Sequence, residues 1–435
     1  MSFDLTNLQR IPGFKVVVEG DAQCRMRDGT ILRSDIYRPD EDGSYPVLLI
    51  RGPYDKRVGL STFGNSHPAW FAEHGYIVII QDTRGRFASE GEFYPFAHEA
   101  EDGFDSVEWA ARVTGSDGQV GMFGFSYLGA TQLLAATTRP PSLKAIVPGF
   151  TASQYFDGWT YNSGAFALGF NCYWANLLAM DTAGRNENIS DLEELSLSLG
   201  SASNWFWSTP LKNYPPLKSK SADYFFDWLA HPTYDEYWRR WSIDEDYSRI
   251  DVPALHIAGW YDIFLSGSVK NFCGISNDGG SANTRNHQKL LIGPWTHMPW
   301  SPVGNTGRTE PSTSEIDDWT IRWFDEILKN KNTGILDSPI TIYPVNGNRL
   351  ELEKWPTGES PTETWFFHSA GRANSKFGDG KLDKNSPADE HVDLFVSDPT
   401  IPIQSNGGHS CCFDSITPMG PADQHTSESS RMVLI

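Results

Sequence analysis

The sequence contains no run of about 18 consecutive apolar residues, the length a membrane-crossing helix needs. It is also poor in cysteine. Five occur among 435 residues: Cys24, Cys172, Cys273 and the adjacent Cys411 and Cys412. Their odd number and wide scatter exclude a disulfide framework. Neither CxxC nor HExxH occurs, and no clustered His/Cys spacing suggests a metal site, so the expected metal set is none and the expected cofactor set is none. Positive charge is short as well. Lys and Arg total 35 against 55 Asp and Glu, a formal net charge of -20. Such a surface repels phosphate backbones and anionic lipid, so neither nucleic acid nor a membrane is an expected partner. The opening segment, "MSFDLTNLQRIPGF", has no basic stretch followed by an apolar core. No secretory leader is expected, and the predicted location is cytoplasmic. Internal repeats and low-complexity segments are absent too.

What is present is an alternation of strand and helix patterns. At roughly 100–200 residues per domain the length allows about two to four domains. "TILRSDIYRP" alternates as a half-buried strand does. "YPVLLIRG" and "GYIVIIQD" are short, continuously apolar and rich in branched residues, as strands covered on both faces are. "EAEDGFDSVEWAARV" reads as a helix with Phe104, Val107 and Ala111 on its inner face. Then "QVGMFGF", "YLGATQLLAATT" and "LKAIVPGF" continue as strand, helix and strand. This order predicts a parallel sheet with helices on both faces, the α/β class, over residues 1–150.

From about residue 151 to 249 strand patterns vanish, and seven tryptophans concentrate there: Trp159, Trp174, Trp205, Trp207, Trp228, Trp238 and Trp241. A helical insertion with an aromatic interior is expected, placed as a cap over the sheet. Residues 250–335 return to the α/β pattern with "VPALHIAGWYD", "HQKLLIGPWTH" and the helix "DDWTIRWFDEILKN". Residues 336–435 change again. "PITIYPVNGN", "TETWFFHS" and "HVDLFVSD" are short strands between Gly, Pro, Asn and Asp, the pattern of an antiparallel β-sandwich.

One serine stands out in this arrangement. "GMFGFSYLGATQ" places Ser126 where a strand turns into a helix. In α/β hydrolases that tight turn lifts a nucleophilic hydroxyl above the sheet. The esterase pattern expects a glycine at position 128; here Leu128 stands there and Gly129 follows one position late. The motif alone does not separate a nucleophile from a serine packed into a crowded corner. The partners bear on the choice. A serine hydroxyl is a poor nucleophile until a base takes its proton, and the base needs a carboxylate to fix its tautomer. Asp262 follows the strand "ALHIAGW" after Tyr261, and His297 follows "KLLIGPW" after Thr296. Serine, acid and base thus occur in the chain order of this fold, each at the carboxyl end of a strand. His256, inside a strand, reads as a core histidine.

The blocks "GMFGFSYLGATQ", "GWYDIF" and "IGPWTH", with "RGPYDK" and "QDTRGRFASEGEF", resemble the cocaine-esterase-like (CocE/NonD) serine hydrolases. These are related to Xaa-Pro dipeptidyl peptidases and include α-amino-acid ester hydrolases and glutaryl-cephalosporin acylases. The resemblance spans the chain in order. It implies an α/β-hydrolase domain, an inserted helical cap and a C-terminal β jelly roll. It gives Ser126, Asp262 and His297 the catalytic roles. It assigns the oxyanion hole to the Tyr54 hydroxyl and the Tyr127 backbone N–H. It points to Trp159, Trp174 and Phe264 for the acyl pocket, where plain core packing is the alternative for each. Cys411, Cys412 and Phe413 would approach that pocket from the C-terminal region. Asp82 and Arg84 read as braces for nearby loops. After the expected triad aspartate, "DIFLSGS" lacks the carboxylates with which α-amino-acid ester hydrolases hold an ammonium. The chain ends as a strand begins in "SSRMVLI", which predicts an incomplete jelly roll with open sheet edges and leaves a homo-oligomer open. The expected activity is hydrolysis of small carboxylic esters or amides through an acyl-enzyme. The alternatives are an Xaa-Pro dipeptidyl peptidase or acylase, and, from another class, an inactive binding or scaffold protein.

Overall fold

The computed structural model describes residues 8–10, 15–57, 66–218, 222–299, 313–345 and, in pieces, 348–425. The branched apolar runs form the strands. In chain order these are β1 (Leu8–Arg10), β2 (Val16–Arg25), β3 (Ile31–Pro39), β4 (Tyr45–Gly52), β5 (Ile77–Asp82), β6 (Ser116–Phe125) and β7 (Leu143–Gly149). They continue with β8 (Tyr161–Asn162), β9 (Ala165–Phe166), β10 (Ala254–Tyr261), β11 (Gln288–Thr296), β12 (Ile340–Ile342), β13 (Leu350–Leu352), β14 (Phe366–His368) and β15 (Lys381–Asp383). Eleven of them make one sheet in the order β1-β2-β3-β5-β4-β6-β7-β10-β11-β12-β13. Pairings from β5 through β12 are parallel, and antiparallel pairs flank them on both sides.

Alternate residues of one strand serve two apolar layers. Val47 and Leu49 face one layer, Leu48 and Ile50 the other. Helices therefore cover both faces, which is why these strands carry no polar alternation. The helices are α1 (Pro68–Glu73), α2 (Glu99–Ala110), α3 (Tyr127–Ala136), α4 (Leu168–Arg185), α5 (Ile189–Gly200), α6 (Asp223–Ala230), α7 (Glu236–Arg239), α8 (Leu265–Asp278), α9 (Ala282–Asn286) and α10 (Thr313–Lys329). Residues of α2, α3 and the 151–249 segment share the first layer. Phe71 of α1 and Trp319, Trp323 and Phe324 of α10 belong to the second. Among the described residues, no helix is long and apolar enough to cross a membrane.

Two readings of the sequence differ from what forms. The buried side of α2 is Asp102, Gly103, Ser106, Val107 and Ala110, not the stripe of Phe104, Val107 and Ala111. The reason is close packing. A Cβ on Gly103 would lie 2.5 Å from the Ala135 Cβ of α3, so only small side chains fit between the helices. Phe104 lies outside that contact, under the Arg27 guanidinium at 5.3 Å.

The second difference lies near residue 340. The first strand expected of a C-terminal sandwich, β12, instead extends the main sheet, pairing in parallel with β11. Ile340 and Ile342 are buried with Ala258, Leu290 and Ile292, a better cover than a solvent-facing sandwich edge offers. Farther on, the described residues hold the β14–β15 pair and the isolated bridge Gly408–Gly420, and no closed jelly roll is among them. His391–Leu394 form no strand; the rest of that expected strand (395–397) and "SSRMVLI" lie outside the described residues. Residues 151–249 hold α4 to α7, short 3-10 turns and the small β8–β9 pairing, and send no strand into the main sheet.

Candidate active site

The turn between β6 and α3 is the sharpest feature at the carboxyl edge of the sheet. Ser126 occupies it alone, at φ 61 and ψ -126. A non-glycine residue in this region costs of order 1–3 kcal/mol and persists only where its surroundings fix it. Here they do. Gly124, at φ 136, lies so near Leu128 that a Cβ would sit 2.6 Å from the leucine Cβ. The displaced glycine is explained the same way. A Cβ on Gly129 would lie 2.8 Å from the Thr151 Cβ and 3.0 Å from the Gly149 carbonyl oxygen. The first turn of α3 is thus pressed against the chain leaving β7, and position 129, not 128, is the point of closest approach.

Tyr127 anchors this turn from inside. Its hydroxyl donates to Glu99 Oε1 at 2.9 Å and accepts from the Phe96 N–H at 2.8 Å. Glu99 in turn pairs with the buried Arg51 at 2.9 Å. Burial pushes the Tyr127 hydroxyl well above its ordinary range, so it stays a neutral donor. Its backbone N–H is at the first position of α3, where helix geometry provides no intrahelical acceptor.

Asp262 and His297 meet because of a slip in register. Gly259 pairs with Gly293, but Tyr261 pairs with Thr296, so β11 carries one extra residue at its end. A bulge of this kind re-aims side chains. After it, the next residues of the two strands, Asp262 and His297, stand side by side. His297 Nδ1 and Asp262 Oδ1 are 2.7 Å apart, and both side chains are buried. The imidazole is held edge-on by Phe264 at 5.0 Å and tilted against Phe125 at 5.9 Å. The second carboxylate oxygen, Asp262 Oδ2, is buried with no hydrogen-bond partner among the described residues.

Ser126 and His297 line one cavity of about 60 Å³ together with Tyr54, Phe125, Phe170, Tyr173, Trp174, Leu177, Met298 and Cys412. The Tyr54 hydroxyl accepts the Trp174 indole N–H at 3.0 Å and has Ser126 as a further hydrogen-bond neighbour. An indole N–H can only donate, so the tyrosine's own proton is turned elsewhere. Burial raises the Tyr54 hydroxyl above its usual range, opposed by those two hydrogen bonds. The loop bearing Tyr54 is fixed from below. Asp82 Oδ1 accepts the Lys56 N–H at 2.7 Å, and Arg86 Nε donates to the Pro53 carbonyl at 3.1 Å. Burial pushes Asp82 up to about 6. Arg84 braces another loop through Asp102 and Asp28.

The expected pocket residues divide. Trp174 lines the cavity. Trp159 and Phe264 stand behind it, stacked on each other at 4.4 Å, and are not among its lining residues. Phe170, Tyr173 and Leu177 were not anticipated. With Trp174 they fall at i, i+3, i+4 and i+7 of α4, so helical spacing carries the signal that would have found them. Cys412 reaches the cavity and Cys411 is buried beside it, whereas Phe413 lies outside the described residues. His256 is buried against Gln288 at 3.0 Å and pushed down to about 4 by burial, away from this site. Although no sequence spacing pointed to it, His297, Cys411 and Cys412 come together as a potential ligand cluster.

Comparison with known proteins agrees with the resemblance read from the motifs. Residues 28–299 match the family described as X-Pro dipeptidyl-peptidase (S15 family). The cocaine esterase of Rhodococcus sp. (strain MB1 Bresler) is 32% identical over 428 residues, covering 94% of this chain and 72% of that protein. A CocE/NonD family hydrolase from Staphylococcus aureus superposes with a TM-score of 0.59 at 22% identity, covering 83% of this chain. This chain spans 59% of the length of that structure. An aminopeptidase from a marine sediment Thaumarchaeota archaeon superposes at 0.66 with 22% identity, covering 92% of this chain and 69% of its own. The structural likenesses support a mixed α/β sheet of the α/β-hydrolase kind. The chain therefore belongs to the S15 family of X-Pro dipeptidyl-peptidases and is an enzyme, a serine hydrolase of that family.

Proposed function

We propose that the chain hydrolyses carboxylic esters with neutral, apolar or aromatic acyl groups through an acyl-enzyme on Ser126. The observation that carries this reading is a single constellation. A strained serine at a strand–helix turn shares a small cavity with an imidazole whose Nδ1 is held by a buried carboxylate at 2.7 Å.

In this reading Ser126 Oγ attacks the ester carbonyl while His297 Nε2 takes its proton. Asp262 holds the imidazole in the required tautomer and offsets the charge of the imidazolium. That charge also supplies a counterpart for the buried Asp262 carboxylate. Negative charge on the tetrahedral oxygen falls between the Tyr54 hydroxyl and the Tyr127 backbone N–H. Tyr54 is suited to donate there, since Trp174 already occupies its oxygen as a donor. The alcohol leaves with the proton from His297. A water then repeats the sequence and releases the acid. Neither metal nor organic cofactor has a step in this scheme.

The lining sets the substrate class. Phe125, Phe170, Tyr173, Trp174, Leu177 and Met298 offer apolar and aromatic surface. No carboxylate lines the cavity among the described residues. A dipeptidyl peptidase must hold a substrate ammonium, and an unpaired buried charge is costly. The lining therefore favours a neutral ester over an Xaa-Pro peptide. In this arrangement the 151–249 segment is the cap, inserted between 1–150 and 250–335, and residues 336–435 bring the Cys411–Cys412 segment to the site.

Relative turnover of p-nitrophenyl esters and Xaa-Pro p-nitroanilides tests this. Turnover of benzoyl and short acyl esters well above that of Xaa-Pro anilides is expected. Preferred cleavage of Xaa-Pro anilides would replace the reading with the peptidase one.

A further inference from the structure

Two side chains beside His297 have no task in ester hydrolysis. Cys411 is buried, 1% exposed, and Cys412, at φ 80, lines the cavity with Ser126 and His297. Their segment is fastened to the strand end that bears Asp262. Ser410 forms a backbone bridge with Asp262, and a His409 ring nitrogen lies 2.7 Å from the Trp260 carbonyl oxygen. Ser410 Oγ donates to the Pro418 carbonyl at 2.6 Å, and Gly408 pairs with Gly420. The cysteine pair is thus built into the wall of the site.

The two sulfurs and a ring nitrogen of His297 lie within 4.8 Å of one another. One nitrogen and two sulfurs are a donor set for a thiophilic cation. Zn–N near 2.0–2.1 Å and Zn–S near 2.3 Å place such donors about 3.5–3.8 Å apart in a tetrahedral site, so the nitrogen must close on the sulfurs by about an ångström at most, while the two sulfurs, bonded in the disulfide, must move apart. His297 Nδ1 is engaged by Asp262, so Nε2 is the nitrogen left for a ligand. A carboxylate behind a ligating histidine is the arrangement that fixes the ring and raises its basicity in metal sites. In the structure Cys411 and Cys412 are joined as a disulfide, which offers no thiolate.

We propose that reduction of the Cys411–Cys412 disulfide creates a site for a thiophilic divalent cation, Zn²⁺ being the type case, on the two Sγ atoms and His297 Nε2. The chemistry balances. A phosphine supplies two electrons as the S–S bond breaks and leaves as the phosphine oxide, taking its oxygen from a water whose two protons complete two thiols. Binding releases those two protons as two Zn–S bonds form and Nε2 gives its lone pair to the metal. That lone pair is then unable to accept a proton from Ser126, so the occupied enzyme is switched off. The binding half stands on geometry alone; the inhibition rests on the hydrolase reading above.

The test uses the full chain, reduced with a phosphine, freed of reductant without air, and dialysed against micromolar zinc chloride. Bound zinc is counted by elemental mass spectrometry. One zinc per reduced chain is expected, and none above background after oxidation with an azo oxidant such as diamide. The double variant Cys411→Ser, Cys412→Ser, which removes two of the three ligands, should bind no zinc above background. If that variant fails to fold, His297→Ala, which keeps both thiols, should show the same loss. Ser126→Ala should retain full zinc occupancy without activity, so uptake is read independently of hydrolysis. In the wild type, esterase activity should fall in step with occupancy and return with a chelator. No zinc on the reduced chain, or equal binding by the cysteine variants, overturns the proposal. Stoichiometric zinc with undiminished turnover overturns its inhibitory half. Zinc uptake in a chain that hydrolyses no ester leaves the binding site standing and removes the hydrolase reading instead.

Discussion

Ser126, Asp262 and His297 stand at the ends of three strands, whereas Phe170, Tyr173, Trp174 and Leu177 hang from α4, in a segment with no strand in the main sheet. The first group is placed by backbone. Register, one bulge and the packing of α3 on β7 decide where these side chains point. The second group is placed by aromatic packing. Trp174 stacks parallel on Trp228 at 5.6 Å and on Phe170 at 5.9 Å. Under the proposed reading, the chemistry is fixed by the sheet and the choice of acyl group by the 151–249 segment. Trp174 joins the two, because its N–H is bonded to Tyr54.

Substitutions at the strand ends should therefore cost most. Asp262→Asn keeps the shape and loses the tautomer control, so kcat should fall about 10⁴-fold with an unchanged circular dichroism spectrum. A loss of only a few-fold would show that the carboxylate is a structural partner of His297 and would break the comparison on the strand side. Tyr54→Phe removes the proposed oxyanion donor, and kcat should drop about 10²–10³-fold with KM little changed. Full activity would hand that role to a backbone amide of the same loop.

Trp174→Phe sharpens the boundary between the two groups. It keeps a ring in the roof but releases the Tyr54 oxygen. A loss of one hydrogen bond, about tenfold in kcat, is expected together with a shifted preference along a series of acyl chains. A shift in preference with kcat intact would make Trp174 a roof residue alone.

The last prediction concerns stability, at a residue that shares a second cavity with Gly124, Phe125 and Gly149. Asp317 of α10 is held up to about 6 because burial penalises its charge, and Ser66 is its hydrogen-bond donor. Folded Asp317 binds its proton more tightly than the unfolded chain, whose value is near 3.8. The stabilisation is complete below 3.8 and is lost as pH rises through 6, by up to about 3 kcal/mol. Asp317→Asn does not titrate. Its melting temperature relative to the wild type should rise between pH 4 and 7, whereas a constant difference would mean that Asp317 ionises normally.

The same division explains what the sequence made legible. Apolar runs announced β4, β5, β10 and β11, and chain order placed Ser126, Asp262 and His297 at strand ends. The bulge that brings Asp262 opposite His297 left no trace in composition, since it depends on the pairing of two strands 34 residues apart at Ala254 and Gln288. The roof was legible only as a concentration of tryptophans. Which of them faces the cavity depends on α4's orientation, so Trp174 lines it while Trp159 and Phe264 pack behind. The inner face of α2 differs from the expected stripe because Gly103 and Ala135 approach so closely that Gly103, Ser106 and Ala110 are buried there with Val107, while Phe104 stays outside. β12 was assigned to a separate sandwich because a short strand carries no mark of which sheet it will join.

The central claim is that Ser126 is a nucleophile activated by His297. A fluorophosphonate probe, followed by peptide mass mapping, reads that directly. The account predicts one adduct per chain, on the Ser126 peptide, absent in Ser126→Ala and strongly slowed in His297→Ala. An adduct on another serine, no adduct on a folded chain, or undiminished labelling in His297→Ala would contradict it.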